Sequence, residues 1–418
     1  MPAPSRVFHR EQLLHLLAEA AEIEHNLLCS YLYAAFSLKH APGDGLNDEE
    51  ARAVASWRKS IMTIALEEMT HLALIANLTL AVGARPHFDR PNLPVAPGYH
   101  PADLVVKLAP FDLDTLDHFV YLERPEGVEM KDGAGFQPEV PYERSSHPGA
   151  RLMPFADDYA TVTEFYQRLR DALEYLAREL GEATLFCGDA RLQVGADLLD
   201  MPGLAAVTDL RSAVAAIDTI IFQGEGSAAA NDDSHFARFS AIKAEYLRLL
   251  EARPGFRPAR PVATNPVMRR PLSPDRVHVD AEAAAEMLDL ANALYNLLLR
   301  LLVQAFGRHD PDPAPRRALL DHALAVMRAF AVTATHLTTL PASASRPGVN
   351  AGATFTVLRA TETLLEGSGE QALLGERVDE LQQRLRQMAA GAPSLQPALA
   401  LLDEVARDPS LRRTRPGR

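Results

Sequence analysis

Apolar residues recur every three or four positions between residues 11 and 39, at Leu13, Leu14, Leu17, Ala21, Leu28, Leu32 and Ala35. That is the period of one helical face. "HAPGDGLNDEE" then breaks the pattern and ends in an Asn/Asp cap signal, so a second helix is predicted from Glu49 to Val82. Gly83 and Pro86 stop it. Helical spacing returns at Tyr159–Leu180, in "DLRSAVAAIDTIIFQGEG", and from His235 onward. A turn-rich piece with room for a short strand separates the first two of these. Beyond Ala281 three or four further helices are predicted, interrupted by the Gly-containing loop "ASASRPGVNAGATF".

The exceptions to this pattern set the domain organisation. Residues 84–155 are rich in Pro and Gly, with two short amphipathic pieces, "DLVVKLAPF" and "DLDTLDHFVYLERPE". An excursion this long is expected to be functional or a lid. "RPGFRPARPVATNPVMRRPLSPD" reads as a linker or wrapping arm. The expectation is an all-α fold with a helical bundle over 1–255, an insertion over 84–155 within it, a linker over 256–280 and a C-terminal helical region over 281–418 packed on the bundle.

One helix conflicts with its own apolar pattern. "IALEEMTHLALIANLTLAVGARP" carries Glu67, Glu68 and His71 among residues that must be buried, and charged groups are seldom buried unless paired or bound to metal. Glu68 and His71, three apart, lie on one face. E-x-x-H in an apolar helix is the ligand pair of carboxylate-bridged di-iron four-helix bundles. Carboxylates can bridge two ions, imidazole adds a neutral ligand, and open positions remain for dioxygen. A surface Glu–His pair is the plain alternative.

Other helices offer candidates for the missing ligands. Glu24 shares a stripe with Leu17, Leu28 and Tyr31, although at least one of Glu22, Glu24 and His25 must be solvated. Glu164 lies on a face with Thr161, Arg168 and Asp171, and Glu225 follows Asp218 and Ile221 at helical spacing, with His235 ten residues later. Asp218, Glu67 and Tyr31 are candidates to support the ligands. His322 and His336, fourteen apart, cannot share an ion and read as core or surface residues.

Composition narrows the classes further. The chain has 418 residues, 47% of them hydrophobic, and a net charge of −13, which argues against nucleic acid. Two cysteines, Cys29 and Cys187, exclude a disulfide framework and a zinc–thiolate site. No apolar run reaches the roughly 18 residues of a membrane span, and no secretion signal is evident. The expectation is a cytoplasmic protein with no membrane partner. No nucleophile-elbow or Walker motif is present.

Together, "IEHNLLCSYLYAAFSLK", "LEEMTHLALIANLTLAVGARP", "TEFYQRL" and "QGEGS…DDSHFARF" resemble the ferritin-like region of the iminophenyl-pyruvate dimer synthases of violacein and rebeccamycin biosynthesis. "NALYNLLLRLLVQAF" and "LPASASRPGVNAGATF" extend the resemblance over most of residues 8–360. The resemblance implies a ferritin-like four-helix bundle with metal ligands Glu24, Glu68, His71, Glu164, Glu225 and His235. It departs from the ordinary di-iron pattern because "GEGSAAANDDSH" separates Glu225 from His235. Two iron ions are the expected cofactor, with another divalent metal such as manganese as the alternative. The implied function is a dioxygen-activating oxidase or oxygenase of specialised metabolism, acting on a small amino-acid-derived substrate, with oxidative imine coupling as one form. The other class is an iron-binding or storage protein without an organic substrate. A homo-oligomer is one expectation for the chain's assembly. The pocket wall is expected from the 84–155 excursion and the helices near Tyr295 and His336.

Overall fold

A computed structural model describes residues 9–40, 44–96, 99–100, 104–137, 159–224, 233–270, 276–308 and 312–411. It is all-α apart from a two-residue parallel strand pair, Pro266–Val267 with Val277–His278. The two longest helices, α1 (Arg10–Ser37) and α2 (Asp48–Ala81), pack against each other along their length. A capping box starts α2: the Asn47 side chain accepts from Glu50 N–H, and the Glu50 carboxylate accepts from Asn47 N–H. A Schellman turn ends it, with Gly83 at φ +86°, Gly83 N–H donating to Leu80 O and Ala84 N–H to Thr79 O.

Around this pair lie α3 (Leu113–Leu122), α4 (Val162–Leu180), the single turn α5 (Glu182–Leu185), α6 (Leu210–Gly224) and α7 (His235–Ala252). α4 packs on α1 and α6, α6 on α2, and α7 on α2 and α3. The fourth position of the bundle is therefore shared by α6 and α7. The first short piece of the excursion, expected to be amphipathic, forms no helix over 104–110, and the second is α3.

α8 (Glu282–Gly307) and α9 (Ala314–Leu337) form a second close pair, with α10 (Gly367–Ala389) and α11 (Gln396–Val405) outside it. The stretch expected as a linker is stitched in place. Arg260 N–H donates to Ser37 O, Asn265 N–H to Leu108 O and Ala263 N–H to Asn350 O, and Phe256 is fully buried. One contiguous apolar core runs from Leu13 to Leu411.

The expectation about apolar length needs correction. α2, α8 and α9 are long and apolar enough to cross a membrane. Their apolar windows tolerate interspersed polar residues, which an uninterrupted run does not. In α2 and α8, 72% of that window is buried against other helices, and in α9 50%.

Candidate metal centre

Four helices bring acids and imidazoles to one buried point. Glu24 comes from the middle of α1, and Glu68 and His71 from one face of α2. His235 is the first residue of α7, placed by the Ser234 cap, whose hydroxyl accepts from Ala237 N–H. The fifth residue is Glu123, at the C-terminal end of α3. All five are buried, and His235 is 0% exposed.

Their donor atoms fall into two overlapping sets. Glu24, Glu68 and His71 form one, and Glu68, Glu123 and His235 the other, with the ligand atoms in each within 4.8 Å of one another. Glu68 belongs to both. One of its oxygens lies 3.1 Å from His71 Nδ1 and the other 2.9 Å from His235 Nδ1. Glu24 Oε2 lies 3.1 Å from His71 Nδ1, and Glu123 Oε1 3.5 Å from His235 Nδ1. The two rings stack at 5.6 Å between centroids.

Each histidine turns Nδ1 toward the carboxylates and is held from behind through Nε2. His71 Nε2 lies 2.8 Å from the Gln223 amide oxygen, and His235 Nε2 lies 3.0 Å from Glu67, which is clamped by Arg238. Such partners fix the tautomer that leaves the other nitrogen free for an ion. Tyr166 donates its hydroxyl to Glu24, and Tyr31 donates to Glu123. Each outer carboxylate thus has one oxygen oriented by a buried phenol.

The electrostatics describe a cluster held together by protons. Burial raises the Glu24 carboxyl to about 8, with the neighbouring Glu68 charge adding to the effect. Burial also pushes Glu68 up, but His235 and His71 outweigh it and hold that carboxyl well below its usual range. Burial opposes charging of His71, yet Glu68 and Glu24 raise it to about 10. His235 is likewise raised, by Glu123 and Glu68 against the cost of burial. Protons on the two imidazoles therefore balance buried carboxylates, and divalent ions would displace them.

The donor set fits such ions on structural grounds. His235 Nδ1 is buried and makes no aligned hydrogen bond, although it faces two carboxylates. Three carboxylates and two imidazoles suit iron or manganese, and the absence of thiolate disfavours softer ions.

The structure brings together Glu24, Glu68, His71 and His235 of the expected ligands. Glu225 lies outside the described residues. Glu164 is elsewhere, and its expected role is corrected here. It sits in the first turn of α4, where its carboxylate accepts from Ala160 N–H at 2.7 Å and pairs with Arg168. Helix capping uses the carboxylate, while Tyr166, two residues on, faces Glu24. Of the expected supporting residues, Tyr31 and Glu67 touch the cluster. Asp218 is 54% exposed and pairs with Arg170 on the surface.

Glu123 was absent from the expected set. Its signal was the stripe Leu116, Phe119, Val120, Glu123, which places an acid at the end of an apolar face.

A small cavity of about 20 Å³ opens on the cluster, walled by Leu27, Leu122, Val162, Tyr166 and Ile220, with Arg124 beside Glu123. The excursion thus supplies wall residues as expected. Neither Tyr295 nor His336 does. Tyr295 lines a different chamber, and His336 bonds Ser394.

The family model described as Ferritin-like matches residues 17–244. The chain belongs to the ferritin-like family. This segment holds every residue of the cluster, and ferritin-like proteins typically bind metals. Two curated relatives extend the similarity beyond it. Dichlorochromopyrrolate synthase of Lentzea aerocolonigenes is 30% identical over 83% of this chain and 36% of its own length. The 2-imino-3-(indol-3-yl)propanoate dimerase of Chromobacterium violaceum is 27% identical over 78% of this chain and 32% of its own length. This ferritin-like chain therefore spans about a third of the length of the relatives it matches. A crystal structure of a ferritin-like protein from Caulobacter vibrioides aligns with 84% of this chain and 99% of its own, at 18% identity and a TM-score of 0.47.

Proposed function

We propose that this ferritin-like chain is a two-metal oxidoreductase that uses dioxygen to oxidise a small amino-acid-derived acid in specialised metabolism. The observation that carries the reading is the pair of buried ligand sets sharing Glu68. Two iron ions, when bound there, would supply the electrons that reduce dioxygen and hence the oxidising power. The relatives' names, a synthase and a dimerase of a 2-imino acid, support the substrate class. Because the chain corresponds to a third of those enzymes, oxidative coupling is one option among removal of hydrogen, oxygenation and coupling.

The chain's own residues would do five things. Glu68 holds the two positions at a fixed separation. Gln223 and Glu67 keep His71 and His235 with Nδ1 available. Tyr166 and Tyr31 orient Glu24 and Glu123 and keep a proton close to each carboxylate. The apolar walls exclude bulk water, which limits side reactions. A cavity of about 20 Å³ suits a diatomic molecule or a water, so the organic substrate would sit at its mouth. Arg124, whose guanidinium also donates to the Tyr121 and Ala160 carbonyls, would receive a carboxylate there. Its guanidinium stacks 3.7 Å from the Tyr121 ring centroid and donates to Tyr121 O at 2.6 Å.

The test is anaerobic iron loading followed by oxygen uptake with a panel of amino, 2-oxo and 2-imino acids, with products read by mass. Uptake accelerated by one class of acid, with a new organic product, is the expected result. Uptake indifferent to every acid, ending in many stored ferric ions per chain, would replace the enzyme reading with iron storage.

A further inference from the structure

Between the α1–α2 pair and the α8–α9 pair lies a second chamber of about 100 Å³, and no residue of the metal pocket lines it. Its walls are almost wholly apolar, from side chains such as Leu28, Leu72, Leu299, Phe306 and Phe330. The polar atoms at one corner are committed to each other: the Tyr295 hydroxyl bonds His25 Nε2 and accepts from Arg90 at 3.2 Å. A buried water needs several polar partners, so a space of this kind stays dry. It is smaller than an engineered cavity of about 150 Å³ that holds benzene, so its guests are smaller than a substituted ring.

The chamber runs from near the surface to the helices that carry the metal ligands. On its outer side Met69, Met201, Leu302 and Met327 are only half-buried, and methionine side chains adapt readily to a passing guest. On its inner side it ends on Leu28 and Leu72, which directly follow Leu27 and His71 of the metal pocket in sequence. A single layer, the α1–α2 pair, therefore separates the two spaces. The metal pocket has only about 20 Å³, and the organic acid is placed at its mouth. Once that acid is seated, dioxygen needs another way in. Dioxygen is small, uncharged and more soluble in apolar media than in water, so it concentrates in a dry apolar space. Acids and ions are kept out of the same space by the cost of leaving water.

We propose that this chamber is a dioxygen-binding site that supplies the metal pocket through the α1–α2 layer. The inference rests on the proposed use of dioxygen at the metal centre. Side-chain fluctuations on the picosecond-to-nanosecond scale let a diatomic pass between packed residues, while the organic acid keeps to the mouth. The two reactants thus have separate routes, and seating the acid does not shut off the oxidant.

Two measurements test this. Crystals of the metal-free full chain under xenon pressure should show a xenon peak among Leu28, Leu72, Leu299 and Phe330. Ala323→Phe, or the gentler Ala73→Leu if the first variant fails to fold, fills the chamber and should remove that peak. In the iron-loaded chain saturated with phenylpyruvate, the second-order rate of oxidation by dioxygen, read by stopped-flow absorbance, should fall about tenfold in the same variant. Its iron content should be unchanged. No xenon in the wild-type chamber, xenon retained in a folded filling variant, or an oxidation rate indifferent to filling would each overturn the dioxygen site and leave the metal reading standing. An iron-loaded wild-type chain that does not react with dioxygen would overturn the metal reading, and this proposal with it.

Discussion

The same two helices wall two spaces of opposite character. On one side α1 and α2 offer Glu24, Glu68 and His71; on the other they offer His25, Leu28, Met69 and Leu72. Neighbours in sequence part company because each residue turns the helix by about 100°. The metal pocket is small, and its buried charges are balanced by one another. The chamber is larger and greasy, with the buried Arg90 guanidinium behind the Tyr295 hydroxyl at its corner. Polar burial on the first side is tolerated because every acid there has an imidazole or phenol partner, which is the condition such networks must meet.

The largest effect should come from the residue that belongs to both ligand sets. Glu68→Ala is expected to lower bound iron from about two ions per chain to none, whereas Glu24→Ala and Glu123→Ala should each remove one; metal analysis separates the three. In the metal-free protein Glu68→Ala should also cost about 3 kcal/mol, because it leaves two buried imidazoles without their shared partner. Equal metal loss in all three variants would mean that the sets are not distinct.

On the apolar side the expected loss is in stability alone. Phe330 packs on Phe36, Tyr295 and Phe355. Its replacement by alanine should cost about 4 kcal/mol in denaturant unfolding, with iron content unchanged. A fall in iron would show that the two spaces are coupled.

A smaller effect concerns the segment that delivers Phe88 to the chamber. His87 sits between Glu22 of α1, at 3.2 Å, and Glu362, at 3.4 Å, and Tyr99 also donates to Glu22. Burial opposes its charge, but the two glutamates raise it from 6.5 to about 10. A raised folded-state value means that its contribution is complete below pH 6.5 and is lost as pH rises toward 10. The ring is 29% exposed, so solvent screening limits the contribution to under about 1 kcal/mol. His87→Gln should therefore flatten the stability profile between pH 6.5 and 10; an unchanged slope would discount the contact.

Glu164→Ala should have a smaller effect still, about 0.5 kcal/mol from the lost contacts at the start of α4, with full iron content. Asp218→Asn should change neither quantity beyond error. Loss of iron in the Glu164 variant would restore the role expected from the sequence.

The difference between Glu164 and Glu123 shows what a sequence reveals and what it conceals. Periodicity identifies α1, α2, α4 and the C-terminal pair because burial imposes it. Glu24, Glu68 and His71 were legible because they interrupt apolar stripes on long helices. His235 was legible from the cap cluster before it. Glu164 fits the spacing of a ligand, but its stripe mates Arg168 and Asp171 are polar, so its face looks outward. Glu123 interrupts an apolar stripe as Glu68 does, yet on a ten-residue helix inside a Pro/Gly-rich excursion, where no second ligand at helical spacing draws notice. The chamber was not legible, because its polar corner joins residues 25, 90 and 295 through tertiary packing alone.

The most direct test of the central claim is a crystal of the iron-loaded chain examined by anomalous scattering at the iron edge. Two peaks are predicted, one among Glu24, Glu68 and His71 and one among Glu68, Glu123 and His235, with Glu68 between them. A single peak away from Glu68, or none at these residues in a protein that carries iron, would contradict the account.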